Sequence, residues 1–217
     1  MPGKKISREK IIEALLSSAF DKSAEGTSLA DIADVLGIKK ASLYNHFENR
    51  DAIISAALAY SSQYLARVTF VPPDTDAVAA KYSPETIFKG IVNRYITMYE
   101  REPLFQIYIF LQSEKYFTYK AVEILNTQKE TMISGTIKLL QSLAAAGKLQ
   151  HRQSFGPAAV WFCNAVLQLL DSYLAERKET IRQNPESGAG SLFALPSDDS
   201  TLAAISALTE KYVQLLV

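Results

Sequence analysis

Apolar residues recur every three or four positions along most of this chain, the period of a helix buried on one side. Ile11, Ile12, Leu15, Leu16, Ala19 and Phe20 form the first such stripe, with Ser7 ahead of it as a cap. A second, shorter stripe is Leu29, Ile32, Ala33 and Leu36. Ser28 precedes it and Asp31 stands three residues on, so the hydroxyl can accept from an orphan amide while the carboxylate favours the positive helix end. Gly37 follows, where a residue without a side chain can turn left-handed and end the helix. Ile38, Leu43 and Phe47 give a third short helix one apolar edge. Ala33 is small enough for two helices to cross beside it.

Asn49 caps a long helix whose apolar side runs through Ile53, Ile54, Ala57, Leu58, Ser61, Leu65 and Val68 until Val71-Pro72-Pro73-Asp74 stops it. A polar, alanine-containing linker is expected from there to Ser83. Ser83-Pro84-Glu85 opens the next helix, with Ile87, Phe88, Ile91, Val92, Tyr95 and Met98 on its buried side. After Pro103, residues 104–111 are apolar almost throughout. They read as a helix, because their flanks are helical and a lone strand would leave its backbone groups unpaired. Residues 117–146 form a long amphipathic helix ended by Gly147, with Val122, Leu125, Met132, Ile133, Thr136, Leu140 and Leu143 inward. A helix at 157–178 is apolar on nearly every side over 158–170, and a last one at 201–216 carries Leu202, Ile205, Leu208, Tyr212, Leu215 and Leu216. Between them residues 184–200, rich in Gly, Pro and Ser around Leu192, Phe193 and Leu195, read as a loop. The fold class is all-α, without repeats.

The two short helices joined at Gly37 make a helix-turn-helix pattern. Spacing alone leaves two readings, a DNA reader and an ordinary helical hairpin. The second helix leaves Lys39, Lys40, Ser42, Tyr44, Asn45 and His46 off its apolar edge, free to meet a partner. Thr27-Ser28, Ile32-Ala33, Gly37-Ile38, Leu43-Tyr44, His46-Phe47 and Asn49-Arg50 together resemble the DNA-binding signature of the tetracycline-repressor (TetR) family. The resemblance covers residues 1–68 well and the remainder by helix order only. It implies a three-helix helix-turn-helix domain at 1–48, a helical effector-binding and dimerisation domain at 49–217, and a homodimer on double-stranded operator DNA. It places Thr27, Ser28, Lys39, Lys40, Ser42, Tyr44, Asn45, His46 and Arg50 at the DNA. One departure stands out. Where the family runs Ser, Lys, Gly, Thr into the Leu-Tyr pair, this chain has Lys39, Lys40, Ala41 and Ser42. A lysine cannot accept an amide hydrogen bond, so the recognition helix lacks its usual capping hydroxyl and gains a charge on the phosphate side. Lys4, Lys5, Arg8 and Lys10 form a basic arm that is either a DNA contact or a solvated terminus.

The 217 residues are 48% hydrophobic, enough for one small domain and one larger core. Their 23 basic residues balance 23 acidic ones, so DNA affinity must be local and not a matter of bulk charge. The single cysteine, Cys163, excludes an internal disulfide and has no metal-site spacing with His46 or His151. It reads as a small core side chain in a reducing cytoplasm. No amino-terminal run resembles a signal peptide, and the apolar stretch 158–170 is interrupted by Asn164 and Gln168 and too short to span a bilayer, so no membrane is expected. Phosphate loops, zinc-ligand spacing and nucleophile elbows do not occur. No enzymatic chemistry and no cofactor are therefore expected, with a helical-bundle enzyme as the remote alternative.

Asn164, Gln168 and Asp171 fall at i, i+4 and i+7 and must share a face of the late helix. Either they pair across a dimer seam or with neighbouring helices, or they line a cavity with Tyr95, Tyr99, Phe105, Tyr108 and Trp161. Such a cavity would suit a small hydrophobic or aromatic effector. The all-round apolar stretch needs cover on both faces, one side from the subunit core and the other from a second subunit, with the last helix completing a four-helix seam. The resemblance implies a repressor released by the effector; control by a protein partner, or constitutive action, is the alternative.

Overall fold

The computed structural model describes residues 6–149, 154–184 and 199–216. Lys4, Lys5, His151, the loop residues Leu192, Phe193 and Leu195, and the side chain of Leu202 lie outside the described residues. The described elements are all helical: α1 (Arg8–Gly26), α2 (Leu29–Leu36), a 3-10 helix (Lys40–Asn45), α3 (Arg50–Leu65), α4 (Thr75–Lys81), α5 (Pro84–Tyr99), α6 (Leu104–Glu114), α7 (Tyr119–Ala145), α8 (Gly156–Gln183) and α9 (Asp199–Gln214). They group into two compact units, Met1–Val68 with Glu102–Gln128, and Thr69–Arg101 with Lys129–Val217. The boundary expected at residues 48/49 divides the chain by task and stays a proposal.

In the first unit the helices begin and end where their side chains satisfy orphan backbone groups. The Ser7 hydroxyl accepts from the Lys10 amide at 3.2 Å, and Asn49 Oδ1 from the Ala52 amide at 2.8 Å. The helix capped by Asn49 stops at Leu65, short of the Val68 its apolar stripe suggested. α1 is interrupted at Ser23, whose φ of 69° and ψ of 163° are far from helical. Residues 104–111 are helical, as expected, and α6 packs chiefly on α1. Phe105 meets Phe20 edge to face at 4.9 Å there. Ile11, Leu15, Leu16, Ile32, Leu43 and Ile53 are fully buried in this core.

In the second unit, the stretch expected to be a linker instead contains α4. Asp74 caps it, its Oδ1 accepting from the Ala77 amide at 3.1 Å, and Thr75 and Ala79 are buried. Seven residues were too few to show a period. Ser83 and Pro84 start α5 as expected. The centre of the unit is aromatic: Tyr212 packs on Phe162 with ring centroids 4.4 Å apart and meets Phe88 edge to face at 5.0 Å. Gly147, at φ 70°, ends the α7 segment, and the Lys148 amide reaches back to the Leu143 carbonyl at 3.0 Å. By length and composition α8 would pass for a membrane-crossing helix, a possibility the shorter apolar stretch 158–170 had argued against. Its Phe162, Cys163, Val166 and Leu170 are fully buried in the unit, and that packing accounts for one apolar side of the helix.

Candidate nucleic-acid interface

The Thr27–Arg50 segment folds as the helix-turn-helix its spacing predicted. Ser28 and Asp31 form a reciprocal capping box: the Ser28 Oγ accepts from the Asp31 amide at 3.2 Å, and the Asp31 carboxylate accepts from the Ser28 amide at 2.8 Å. Hydrogen bonds from Lys22 and Ser28 hold the Asp31 carboxyl well below the usual range. Gly37 turns left-handed at φ 66°, and the Ile38 amide closes the turn on the Ala33 carbonyl at 3.0 Å. Lys39 then enters the 3-10 helix with no side-chain cap, as its lack of an acceptor requires.

Leu43 and Phe47 bury the inner edge of this recognition element. Lys39, Lys40, Tyr44 and Asn45 stand outside, Tyr44 at 53% exposure, and Ser42 is half-buried beside them. Two lysines, an amide and two hydroxyls on one rim can pair with phosphates and with base edges.

Four residues expected at the DNA are also engaged within the unit. Thr27 is only 1% exposed, and its hydroxyl donates to the Ser23 carbonyl at 2.8 Å, so it anchors the turn. Arg50 is held inside: its Nε donates to the Thr27 carbonyl at 2.7 Å, and its terminal nitrogen to the Ala24 carbonyl. It ties α3 to the α1–α2 connection. Ser28 is exposed, with its hydroxyl engaged in the cap. His46 is half-buried, and its carbonyl accepts from Arg8 at 2.6 Å. Arg8 had been noted only as a charge in the arm. Its guanidinium lies 4.0 Å from the centroid of the Phe47 ring, fixing the far end of the recognition element. A pairing across some forty residues leaves no local spacing to read.

The residues expected around an effector cavity do not all fall within one unit. Asn164, Gln168 and Asp171 do share a face of α8, but it is the exposed face, and the Gln168 amide reaches Ser172 at 3.5 Å. Trp161, 47% exposed, stacks on Tyr212 at 5.7 Å. Tyr95 and Tyr99 are buried, their hydroxyls 3.2 Å apart, and Tyr95 also donates to Met132 Sδ at 3.3 Å. Phe105 and Tyr108 are buried in the other unit. The helical period fixed which residues share a face, but not which way that face points. Cys163 is buried against Thr136, Sγ to Oγ1 3.4 Å, and burial pushes its thiol pKa up, which disfavours the nucleophilic thiolate. Among the described residues, no group of three or more His, Cys, Asp or Glu could hold a metal ion.

Residues 11–57 match the family described as bacterial regulatory proteins, tetR family. The biofilm operon icaADBC HTH-type negative transcriptional regulator IcaR of Staphylococcus aureus is 30% identical over 95 residues, 42% of this chain and 51% of the relative. The protein of that name from Staphylococcus epidermidis is 41% identical over 46 residues, 21% of this chain and 25% of the relative. The matched part of this chain thus spans about half the length of the S. aureus relative. Two solved structures are similar along nearly their whole length. A putative TetR-family transcriptional regulator from Mesorhizobium loti has a TM-score of 0.63 at 17% identity, over 96% of this chain and 95% of that one. A Clostridium perfringens putative fatty acid metabolism regulator has a TM-score of 0.55 at 12% identity, over 96% and 98%. At such identities they speak for the fold alone.

Proposed function

Since the chain belongs to the TetR family, by its amino-terminal domain and its all-α fold, we propose that it is a DNA-binding transcriptional regulator of the cytoplasm, a repressor, and not an enzyme. It binds a near-palindromic duplex operator as a homodimer. The observation that carries the reading is the outward rim of Lys39, Lys40, Ser42, Tyr44 and Asn45 on an element clamped from behind by Leu43 and Phe47. Two-fold symmetry would set the recognition elements in successive major grooves, about 34–36 Å apart. Lys39 and Lys40 act on phosphates and set affinity; Ser42 and Asn45 act on base edges and set preference. The name of the staphylococcal relative, a negative regulator, favours repression over activation. Release by a small apolar molecule is the finer part of the proposal.

Selection of binding sites from random duplex pools by the full chain tests it. A two-fold-related pair of half-sites should be enriched. Lys40→Ala should weaken all sequences alike and lower the salt slope by about 1, whereas Asn45→Ala should blur the preference at particular positions. Failure to enrich any sequence over bulk DNA at physiological salt would remove the basis of the reading. Control by a protein partner has one observation in its favour, the exposed aromatic cluster Tyr116, Phe117 and Tyr119 between α6 and α7. Replacing all three by serine should leave operator binding intact, and would abolish regulation in cells only under that second reading.

A further inference from the structure

The first unit contains a cleft of about 850 Å³, within the range of small-molecule sites. One wall is a single face of α1, carrying Lys10, Glu13, Ala14 and Ser17 at helical spacing. The opposite wall is the end of α2 with the Gly37 turn, and the start of α6 closes one end with Glu102, Pro103 and Gln106. Nothing in the DNA-reading rim uses the cleft.

Gln106 is the telling residue. Its side chain is only 7% exposed, it lines the cleft, and no hydrogen bond ties its amide to another described residue, so the amide is open to whatever fills the cleft. An amide held by a largely buried side chain and open to the cleft can pair with a ligand group in place of water. α6 also opens after Pro103 without a side-chain cap, leaving its first amides without acceptors inside the helix. Both features offer N–H groups to a carbonyl oxygen. Charge argues against an anion, since Glu13 and Glu102 outnumber Lys10 around the rim.

We propose that this cleft is an effector site for an uncharged, mostly apolar small molecule bearing an amide or ester carbonyl, whose oxygen pairs with Gln106 and the start of α6. The regulatory consequence rests on the DNA-binding reading above. A molecule seated there touches both α6 and the turn that carries the recognition element. It therefore favours one setting of α2 against α1, and operator DNA, preferring another, is released by the difference in affinity.

Nuclear magnetic resonance of the 15N-labelled full chain tests this, with γ-nonalactone and N-hexylacetamide as probes and hexanoate and hexylamine as charged counterparts. The Gln106 side-chain amide and the Gly37 and Ile38 backbone amides should shift saturably with the two carbonyl probes. Gln106→Met, of similar shape, should weaken both by about tenfold, the worth of one hydrogen bond. Ser17→Phe, on a half-buried position, should block both while the remaining resonances stay in place. No shift at these amides, equal binding by Gln106→Met, or preference for hexanoate or hexylamine overturns the proposal. DNA retention measured without any probe separates the two readings. A protein that holds an operator but ignores the probes loses the cleft alone, and one that takes the probes without holding DNA loses the regulator alone. A probe that fills the cleft and leaves operator affinity unchanged overturns the regulatory step.

Discussion

Ser23 has the only positive φ among the described residues that are not glycine, and at φ 69° with ψ 163° it lies in a region that only glycine occupies freely. It breaks α1 so that the Ala24 and Thr27 carbonyls can face Arg50. Its Oγ recovers little, accepting from the Gly26 amide at 3.3 Å. Ser23→Gly should therefore stabilise the chain by about 1 kcal/mol, relief of strain outweighing the added freedom of the unfolded state. Thermal unfolding reads this directly, and a lower melting temperature would show that the serine conformation is unstrained. Glu114 is a second residue with a cost attached. It is buried in the first unit, and desolvation raises its pKa above the ordinary 4.5 against the favourable field of Arg50, with Glu25 adding to the rise. A raised carboxyl is stabilising below its unfolded pKa, and that stability is lost as pH rises through the folded value. Glu114→Gln should thus melt higher than the parent at neutral pH, with the difference gone well below pH 4.5. A difference independent of pH would place the effect in packing.

The recognition element shows how the loss of one cap can be traded against charge. Lys39 offers no acceptor to the incoming turn, whereas a serine there could take the Ala41 amide. Lys39→Ser should steady the element by about 0.5–1 kcal/mol and at the same time reduce the salt slope of DNA binding by about 1. A stabilised variant with an unchanged slope would mean that Lys39 does not meet a phosphate. Much of this element was legible beforehand, because caps, the Gly37 turn and the Leu43–Phe47 edge are local signals. What stayed hidden was of two kinds. The seven-residue α4 gave too short a pattern for a period to show. The burial of Thr27 and the capture of Arg50 depend on backbone carbonyls brought together by the Ser23 break, and no spacing of residue types announces a carbonyl. Gln106 was lost inside an apolar run for the opposite reason, one polar residue seeming a minor exception until its surroundings were known.

At the scale of the whole molecule the open matter is what covers the outer face of α8. Val160 and Trp161 stand exposed on it, and Leu215 stands exposed beyond the end of α9. Ile205, Tyr212 and Val213 on α9 are buried, and α9 packs more on α5 than on α8. Cutting off the last helix would therefore open the core of the second unit as well as any seam, and could not report on dimerisation alone. A point change on the exposed face can. Val160→Asp leaves the core untouched, and in a symmetric dimer would set two carboxylates against an apolar partner. The variant should sediment as a monomer of normal helix content and bind the operator more weakly, since one recognition element retains only part of the contacts. Trp161, the only tryptophan, supplies an independent reading. Its ring is half open in the single chain, so pairing should bury it and shift its emission to shorter wavelength. Diluting the parent protein should then move the emission red along the same curve as the loss of the dimer, while Val160→Asp should be red at every concentration. A Val160→Asp protein that remains dimeric, with blue emission and full operator affinity, would place the interface on another face.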